Sequence, residues 1–212
     1  MTTIIAIDGP AGSGKSTLAA ALADRLGLLH IDTGAMYRAV TLEALRRSVD
    51  TADLEGLVIV AADAVIKVEG KRVWLGEEEV TKEVRSPEVT GAVSAVAGVE
   101  GVRAVLVDRQ RKLGVNGVVM EGRDIGSVVF PDADLKIYLT AGIAERAERR
   151  ATEFGDEVGG TLTDLERRDR YDSERAASPL VVPDDAVVID NSNRGVDEVV
   201  DQVLKLLEPR DG

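Results

Sequence analysis

Gly9, Gly14, Lys15 and Ser16 occupy the fixed positions of G-x-x-x-x-G-K-[ST]. That spacing is the phosphate-binding loop of nucleoside triphosphate proteins. Its physical logic is a row of backbone N–H groups and a helix N-terminus aimed at one anion. The flanks fit this reading. An apolar run from Thr3 to Ile7 ends at Asp8 as a buried strand does, and Leu18 to Leu26 is Ala- and Leu-rich without a breaker until Gly27. The candidate donor site is therefore Gly9, Pro10, Ala11, Gly12, Ser13, Gly14, Lys15, Ser16 and Thr17. Lys15 is expected to reach the β- and γ-phosphates of ATP, and the Ser16 hydroxyl to hold Mg²⁺.

The second chemical signal is the clustering of arginine. Phosphoryl transfer asks a protein for positioning and for positive charge around the transferred group, and the planar guanidinium binds phosphate oxygens in pairs. Arg146, Arg149 and Arg150 share one helical face by their spacing, and Arg168, Asp172 and Arg175 share another. Two such helices joined by a Gly-rich segment read as a lid over a triphosphate; the competing reading is two solvated helices with surface ion pairs. Asp32, Thr33 and Gly34 close a second apolar run, at the strand end where open parallel sheets bind ligands. Arg38 follows in the first turn of the next helix and is suited to an acceptor phosphate. Glu121 ends a third apolar run, Val118 to Met120, at the position where a carboxylate orients Mg²⁺; Gly122 allows close approach and Arg123 faces the phosphates. His30, the one histidine, lies in an apolar run and reads as core or rim. Trp74 reads as hairpin packing, and Glu77 to Glu79 as a solvated turn.

The elements that must position these groups alternate strand and helix. Helices are expected over Ala35–Arg47, Asp53–Ala64, Val102–Leu113, Ile143–Phe154, Asp164–Ala177 and Val196–Leu207, with strands at Leu28–Ile31, Val118–Met120, Leu135–Leu139 and Ala186–Ile189. Ser86, Pro87 and Glu88 spell a further helix start. Thr163 and Glu166 have capping-box spacing, after a break at Gly155, Gly159 and Gly160. Between about 64 and 84, Val65–Glu69 and Arg72–Leu75 alternate around Gly70 and Lys71 as a hairpin, with Val80 as a third short strand. Alternating strands and helices imply a parallel sheet covered on both faces, interrupted by this β-rich insert.

Composition narrows the classes. The 212-residue length suits one α/β unit, and 44% hydrophobic residues supply a core that, at 3% aromatics, must be aliphatic. No cysteine is present, which removes disulfides and thiolate metal sites. The net charge of −12 argues against general nucleic-acid binding. No apolar run approaches the roughly 18 residues of a membrane span, and no export signal is visible, so a cytoplasmic protein is expected.

Taken together, the motifs resemble those of the nucleoside monophosphate kinases and, among them, the bacterial cytidylate kinases. The resemblance rests on Ile7 to Ser16, Asp32 to Arg38, Glu121 to Asp124 with Val129 to Pro131, and Arg168, Asp169, Asp172, Ser173, Arg175, Pro179 and Leu180. It spans nearly the whole chain in order. It implies a five-stranded parallel sheet with helices on both faces, a helical lid, and an acceptor-binding region carrying the insert. The corresponding division is a core of 1–34, 115–142 and 180–212, an acceptor region of 35–114 and a lid of 143–179. It also implies ATP-dependent, Mg²⁺-requiring phosphorylation of CMP and dCMP by a monomer with small-molecule nucleotides as its partners. Arg38, Arg123 and Arg168 would then contact the acceptor phosphate, with Lys15, Arg123 and Arg168 carrying catalysis. Asp172 and Arg175 would hold the sugar, Ser94, Arg103 and Asp124 would read the base, and Thr33 would complete the acceptor site. Cytosine offers an amine donor beside two acceptors, so a carboxylate beside a cation selects it over uracil. Another small-molecule kinase on the same fold (uridylate, adenylate or shikimate kinase) remains the alternative, and a guanine-nucleotide switch is disfavoured because N-K-x-D is absent.

Overall fold

The structure, a computed structural model, describes residues 2–154, 158–175 and 177–207. Five strands, β1 (Ile4–Asp8), β2 (Leu29–Asp32), β6 (Val118–Gly122), β7 (Leu135–Thr140) and β8 (Val187–Asp190), form one sheet in the order β2-β6-β1-β7-β8. Every pairing in it is parallel. The chain leaves β1 toward β2 on one side and crosses from β6 past β1 to β7 on the other. The carboxyl end of β1 is therefore the switch point, where flanking connections diverge and leave a crevice.

The sheet is buried because its strands are aliphatic on both faces. Ala6, Ile31, Val118 and Met120 point into a core shared with α2 (Thr33–Arg46), α3 (Leu54–Asp63), α4 (Pro87–Gly98) and α5 (Glu100–Leu113). Ile5, Ile7, Val119, Ile137 and Leu139 point the other way, onto α1 (Lys15–Leu26) and α8 (Val196–Leu207). The alternation along β1 and β6 is the period-2 pattern that fixes which helices lie on which face. A second sheet, antiparallel, comprises β3 (Ile66–Glu69), β4 (Arg72–Leu75) and β5 (Glu78–Glu79). Lys67 and Arg72 flank the Trp74 ring there, each 5.1 Å from its centre.

Local chemistry explains most boundaries. Asp32 caps α2 by accepting from the Ala35 N–H at 3.1 Å, Asp53 caps α3 through Gly56 at 2.9 Å, and Ser86 caps α4 through Val89 at 3.3 Å. Gly27 ends α1 at φ 65°, a left-handed C-cap. Three expectations are corrected. The third hairpin strand is Glu78–Glu79, not Val80: Gly76 turns the chain tightly, Arg46 holds Glu78 through two bonds of 2.8 and 2.9 Å, and Val80 plugs the core. Helix α5 starts at Glu100, leaving only Val99 between it and α4.

The third correction concerns α6 (Ile143–Phe154) and α7 (Val158–Glu174). Helix α7 begins six residues before Asp164 and ends at Glu174, so Thr163 lies inside it and not at its start. Packing of Leu162 and Leu165 against Ala11 and Ala147 stabilises the added turn despite Gly159 and Gly160. Gly155, expected as a breaker, lies outside the described residues. Among the described residues no single helix is long and apolar enough to cross a membrane.

Leu106 is fully buried on α5, the helix that carries Arg103. Leu106→Ala should lower unfolding free energy by about 2–5 kcal/mol, read as a drop in urea midpoint at unchanged slope.

Candidate active site

Three strand ends converge on the crevice. The loop after β1 needs glycine at two points in particular. Gly9, at φ 149°, lies against the Leu139 carbonyl with no room for a Cβ, and Gly14 caps α1 at φ 96° with Asn191 against it. Carbonyls of the loop are tied back from several sides. Asn191 donates to Ser13 O at 2.9 Å, and Arg146 donates to Ala11 O at 3.0 Å. The buried Asp8 carboxylate accepts from the N–H groups of Ile125 and Gly126, each at 2.7 Å, bracing the π-helical turn Ile125–Val129. Burial nevertheless pushes its pKa up to about 6.

A cavity of about 650 Å³ opens over the loop, floored by Gly12, Gly14, Lys15, Ser16 and Thr17. Gly9, Pro10, Ala11 and Ser13, also expected at the donor site, shape the loop and do not line the cavity. Arg149 and Arg150 face it from α6, while Gly70, Lys71 and Arg85 face it from the region of the small sheet. Those three were not legible, because nothing local in a hairpin turn, or in the short 3-10 helix Glu83–Arg85, tells which crevice it will overhang. Arg146 departs from its two neighbours. It is buried, paired with Asp169 at 2.7 Å, and supports the loop from behind.

A smaller cavity, about 90 Å³, continues from the first and shares Lys15, Asp32 and Arg38 with it. All nine residues expected at the acceptor site line this space. Thr33, Arg38 and Ser94 come from α2 and α4, and Arg103 from α5. Arg123 and Asp124 follow β6; Arg168 and Asp172 come from α7, and Arg175 lies just beyond its end. Arg103 and Asp124 form a buried ion pair, and the Arg103 guanidinium sits 5.3 Å from the centre of the Tyr37 ring. Arg123 donates to Asp172 at 2.9 Å, and Arg175 approaches both Asp124 and Asp172 at 3.9 Å. Arg38 bonds Thr90 at 3.0 Å and Val84 O at 3.3 Å. Arg168 Nε and Nη1 are buried with no hydrogen-bond partner among the described residues.

The electrostatics follow from crowding like charges in a dry crevice. Burial, then Arg123, lowers Lys15 to about 7. Burial, then Arg123, Arg38 and Arg150, lowers Arg168 to about 9. Arg38 falls to about 10 through burial and Arg150. Arg123 is the exception: burial opposes its charge, but Asp172 more than offsets this and raises it. Asp32 is raised by burial and by the neighbouring Glu121. Cations held this way interact most favourably with a multiply charged anion.

On the carboxylate side, Glu121 accepts from the Ser16 hydroxyl at 2.8 Å and lies 2.9 Å from His30 Nε2, while its main-chain oxygen accepts from Thr33 at 2.7 Å. His30, read from sequence as core or rim, is a buried part of the cavity wall. Its neighbours in sequence are apolar, and no spacing rule links it to Glu121.

A glycine loop at the switch point of a parallel sheet, with buried arginines converging beside it, defines a phosphate-binding loop protein built for two anionic ligands. The sequence pattern of the cytidylate kinase family matches residues 5–209, and the chain belongs to that family. It is 51% identical to a cytidylate kinase of Desulforamulus reducens over 213 residues, 96% of each chain. It is 46% identical to one of Rhodococcus opacus, covering 99% of this chain and 96% of that one. Among solved structures, a shikimate kinase from Acinetobacter baumannii shares the fold at TM-score 0.50 and 13% identity, over 98% of this chain and 93% of that one.

The position of Lys15 generates a test with a definite sign. Its pKa falls from the ordinary 10.5 to about 7 on folding, so between those values the unfolded chain binds the extra proton and stability from this group rises with pH. Lys15→Met should thus be more stable than the parent at pH 6, with the gap closing toward pH 10. Parallel pH–stability curves for the two proteins would contradict the burial argument.

Proposed function

We propose that this protein transfers the γ-phosphoryl group of ATP to CMP and dCMP, giving CDP and dCDP, as a monomeric cytoplasmic enzyme of pyrimidine nucleotide metabolism. The observation that carries the reading is the buried Arg103–Asp124 pair at the end of a cation-lined space that opens directly onto the loop. Asp124 accepts from the exocyclic amine of cytosine, and Arg103 donates to its ring acceptors. Ser94 supports the base, and Asp172 with Arg175 holds the sugar. Arg38, Arg123 and Arg168 hold the acceptor phosphate, and the two unpartnered nitrogens of Arg168 supply donors for it. Thr33 lines the acceptor space and donates to the main-chain oxygen of Glu121.

The residues do the following. The loop N–H groups and Lys15 bind the β- and γ-phosphates. An oxygen of the acceptor phosphate attacks the γ-phosphorus in line, the bond to the β–γ bridging oxygen breaks, and ADP departs; no side-chain nucleophile is needed. Lys15, Arg123 and Arg168 stabilise the charge on the transferring group, with Arg149 and Arg150 at the cavity wall. Arg146 is reassigned to holding the loop. The oxygen donors Ser16, Glu121 and Asp32 fit a hard cation carried by the nucleotide, since Mg²⁺ keeps several waters and takes few protein ligands. Held there, Mg²⁺ would supply positive charge against the phosphates. In this reading 35–114 is the acceptor region, 143–179 the lid, and 1–34, 115–142 and 180–212 the core.

An ADP-release assay with ATP and Mg²⁺ against CMP, dCMP, UMP, AMP, GMP and shikimate tests the assignment. CMP and dCMP should dominate, and a different best acceptor overturns it. Arg168→Ala should lose about 10–100-fold in kcat/KM for CMP, the worth of one or two charge-assisted hydrogen bonds. A variant with unchanged kinetics would remove Arg168 from the site.

A further inference from the structure

His30 is a buried feature of the cavity wall that the reaction above leaves without a task. It lies on β2, two residues before Asp32, with its neighbour β6 pairing Asp32 opposite Glu121. Its side chain is 9% exposed, yet it lines the same cavity as Ser16 and Lys15. Its Nε2 is 2.9 Å from Glu121 Oε1, while Ser16 Oγ donates to Oε2 at 2.8 Å. The two oxygens of one buried carboxylate are thus held by two different segments of chain. Glu121 itself is 3% exposed, so an oxygen released from His30 would not regain water freely.

We infer that His30 is a positioning residue for metal–nucleotide binding: its Nε2–H fixes the Glu121 carboxylate so that Glu121, with Ser16, receives the hydrated cation that accompanies ATP. The inference rests on the functional reading above. Its physical content is a competition. Glu121 has the Lys15 ammonium as a nearby cation, and Asp32 as a nearby like charge. Without His30, a carboxylate free to rotate gains most by moving toward Lys15. That movement would break the alignment with Ser16 and turn the carboxylate away from the cation it is to receive. The bond to His30 removes that option before any ligand arrives, which is how an outer partner sharpens a metal site.

The test uses the full chain, with Mn²⁺ as the probe. Free Mn²⁺ is measured by electron paramagnetic resonance in mixtures of protein and ATP, and ATP affinity is measured separately in EDTA. His30→Ala should weaken Mn²⁺ retention in the protein–ATP complex by about 10-fold, the usual cost of losing an outer partner. ATP affinity in EDTA should stay within about twofold, and His30→Gln, whose amide reaches the position of Nε2, should restore the metal affinity. If circular dichroism shows His30→Ala unfolded, His30→Asn replaces it, because its shorter amide cannot reach Glu121. Wild-type metal retention in the variant, or an equal loss of metal-free ATP affinity, overturns the inference. A parent protein that phosphorylates CMP while the variant holds Mn²⁺ normally sinks this inference alone. A parent that transfers nothing to CMP sinks the reading beneath it.

Discussion

The structure depends on keeping positive charge together in a dry place within a strongly acidic chain. The chain carries a net charge of −12, yet Lys15, Arg38 and Arg168 share one crevice in which burial and neighbouring arginines, Arg123 in every case, lower their proton affinity. Burial is the larger cause in each case. Such a cluster persists only because the surrounding fold over-determines it. The sheet does so by bringing the ends of β1, β2 and β6 side by side, and the aliphatic cores on both faces hold those ends rigid. Asp172, Asp124 and Glu121 absorb part of the repulsion. What remains uncompensated, above all on Arg168, is the part that a phosphate relieves.

The same constraint explains why supporting contacts surround the site. The loop after β1 cannot use its N–H groups for a ligand unless its carbonyls are occupied elsewhere. Arg146, Arg149 and Asn191 meet that need from α6 and from the end of β8. Asp8 does the equivalent for the turn after β6, at the cost of a carboxylate pushed toward neutrality. Arg146, Asn191 and Asp8 touch no reacting atom in the proposed chemistry; each fixes a segment that borders the site.

How much of this was legible in the sequence divides along one line. Features set by neighbours in the chain could be read: the glycine loop, Ser86 as a cap, the five buried strands, the hairpin around Gly70. Convergence of the nine acceptor-side residues was reached through family resemblance, since residues 33 and 175 have no local link. What escaped reading is set by tertiary packing. Thr163 and Glu166 have cap spacing, yet Leu162 and Leu165 gain more by extending α7 over Ala11. Arg146, Arg149 and Arg150 share a helical face, but the rotation of that helix buries the first behind the loop and leaves the others at the cavity. His30 looked apolar by company, and only the pairing of β2 with β6 brings it to Glu121.

Base selection, as proposed, begins from a pair that already exists. Arg103 and Asp124 are bound to each other, so in the proposed complex a cytosine ring must divide between them an attraction they already enjoy. The net gain on binding is modest for that reason, and discrimination comes from the other side of the ledger. A base that separates the pair without replacing its bonds leaves two buried charges unsatisfied, which costs more than any matched contact returns. Uracil, with its donor and acceptor exchanged at N3 and position 4, is such a base. Arg175 extends the consequence beyond the base, because it stands 3.9 Å from both Asp124 and Asp172, and Asp172 also holds Arg123. A wrong base therefore disturbs the arginine at the acceptor phosphate through two carboxylates and one guanidinium. Specificity and turnover are then coupled by the same short chain of charges, with no moving part required between them.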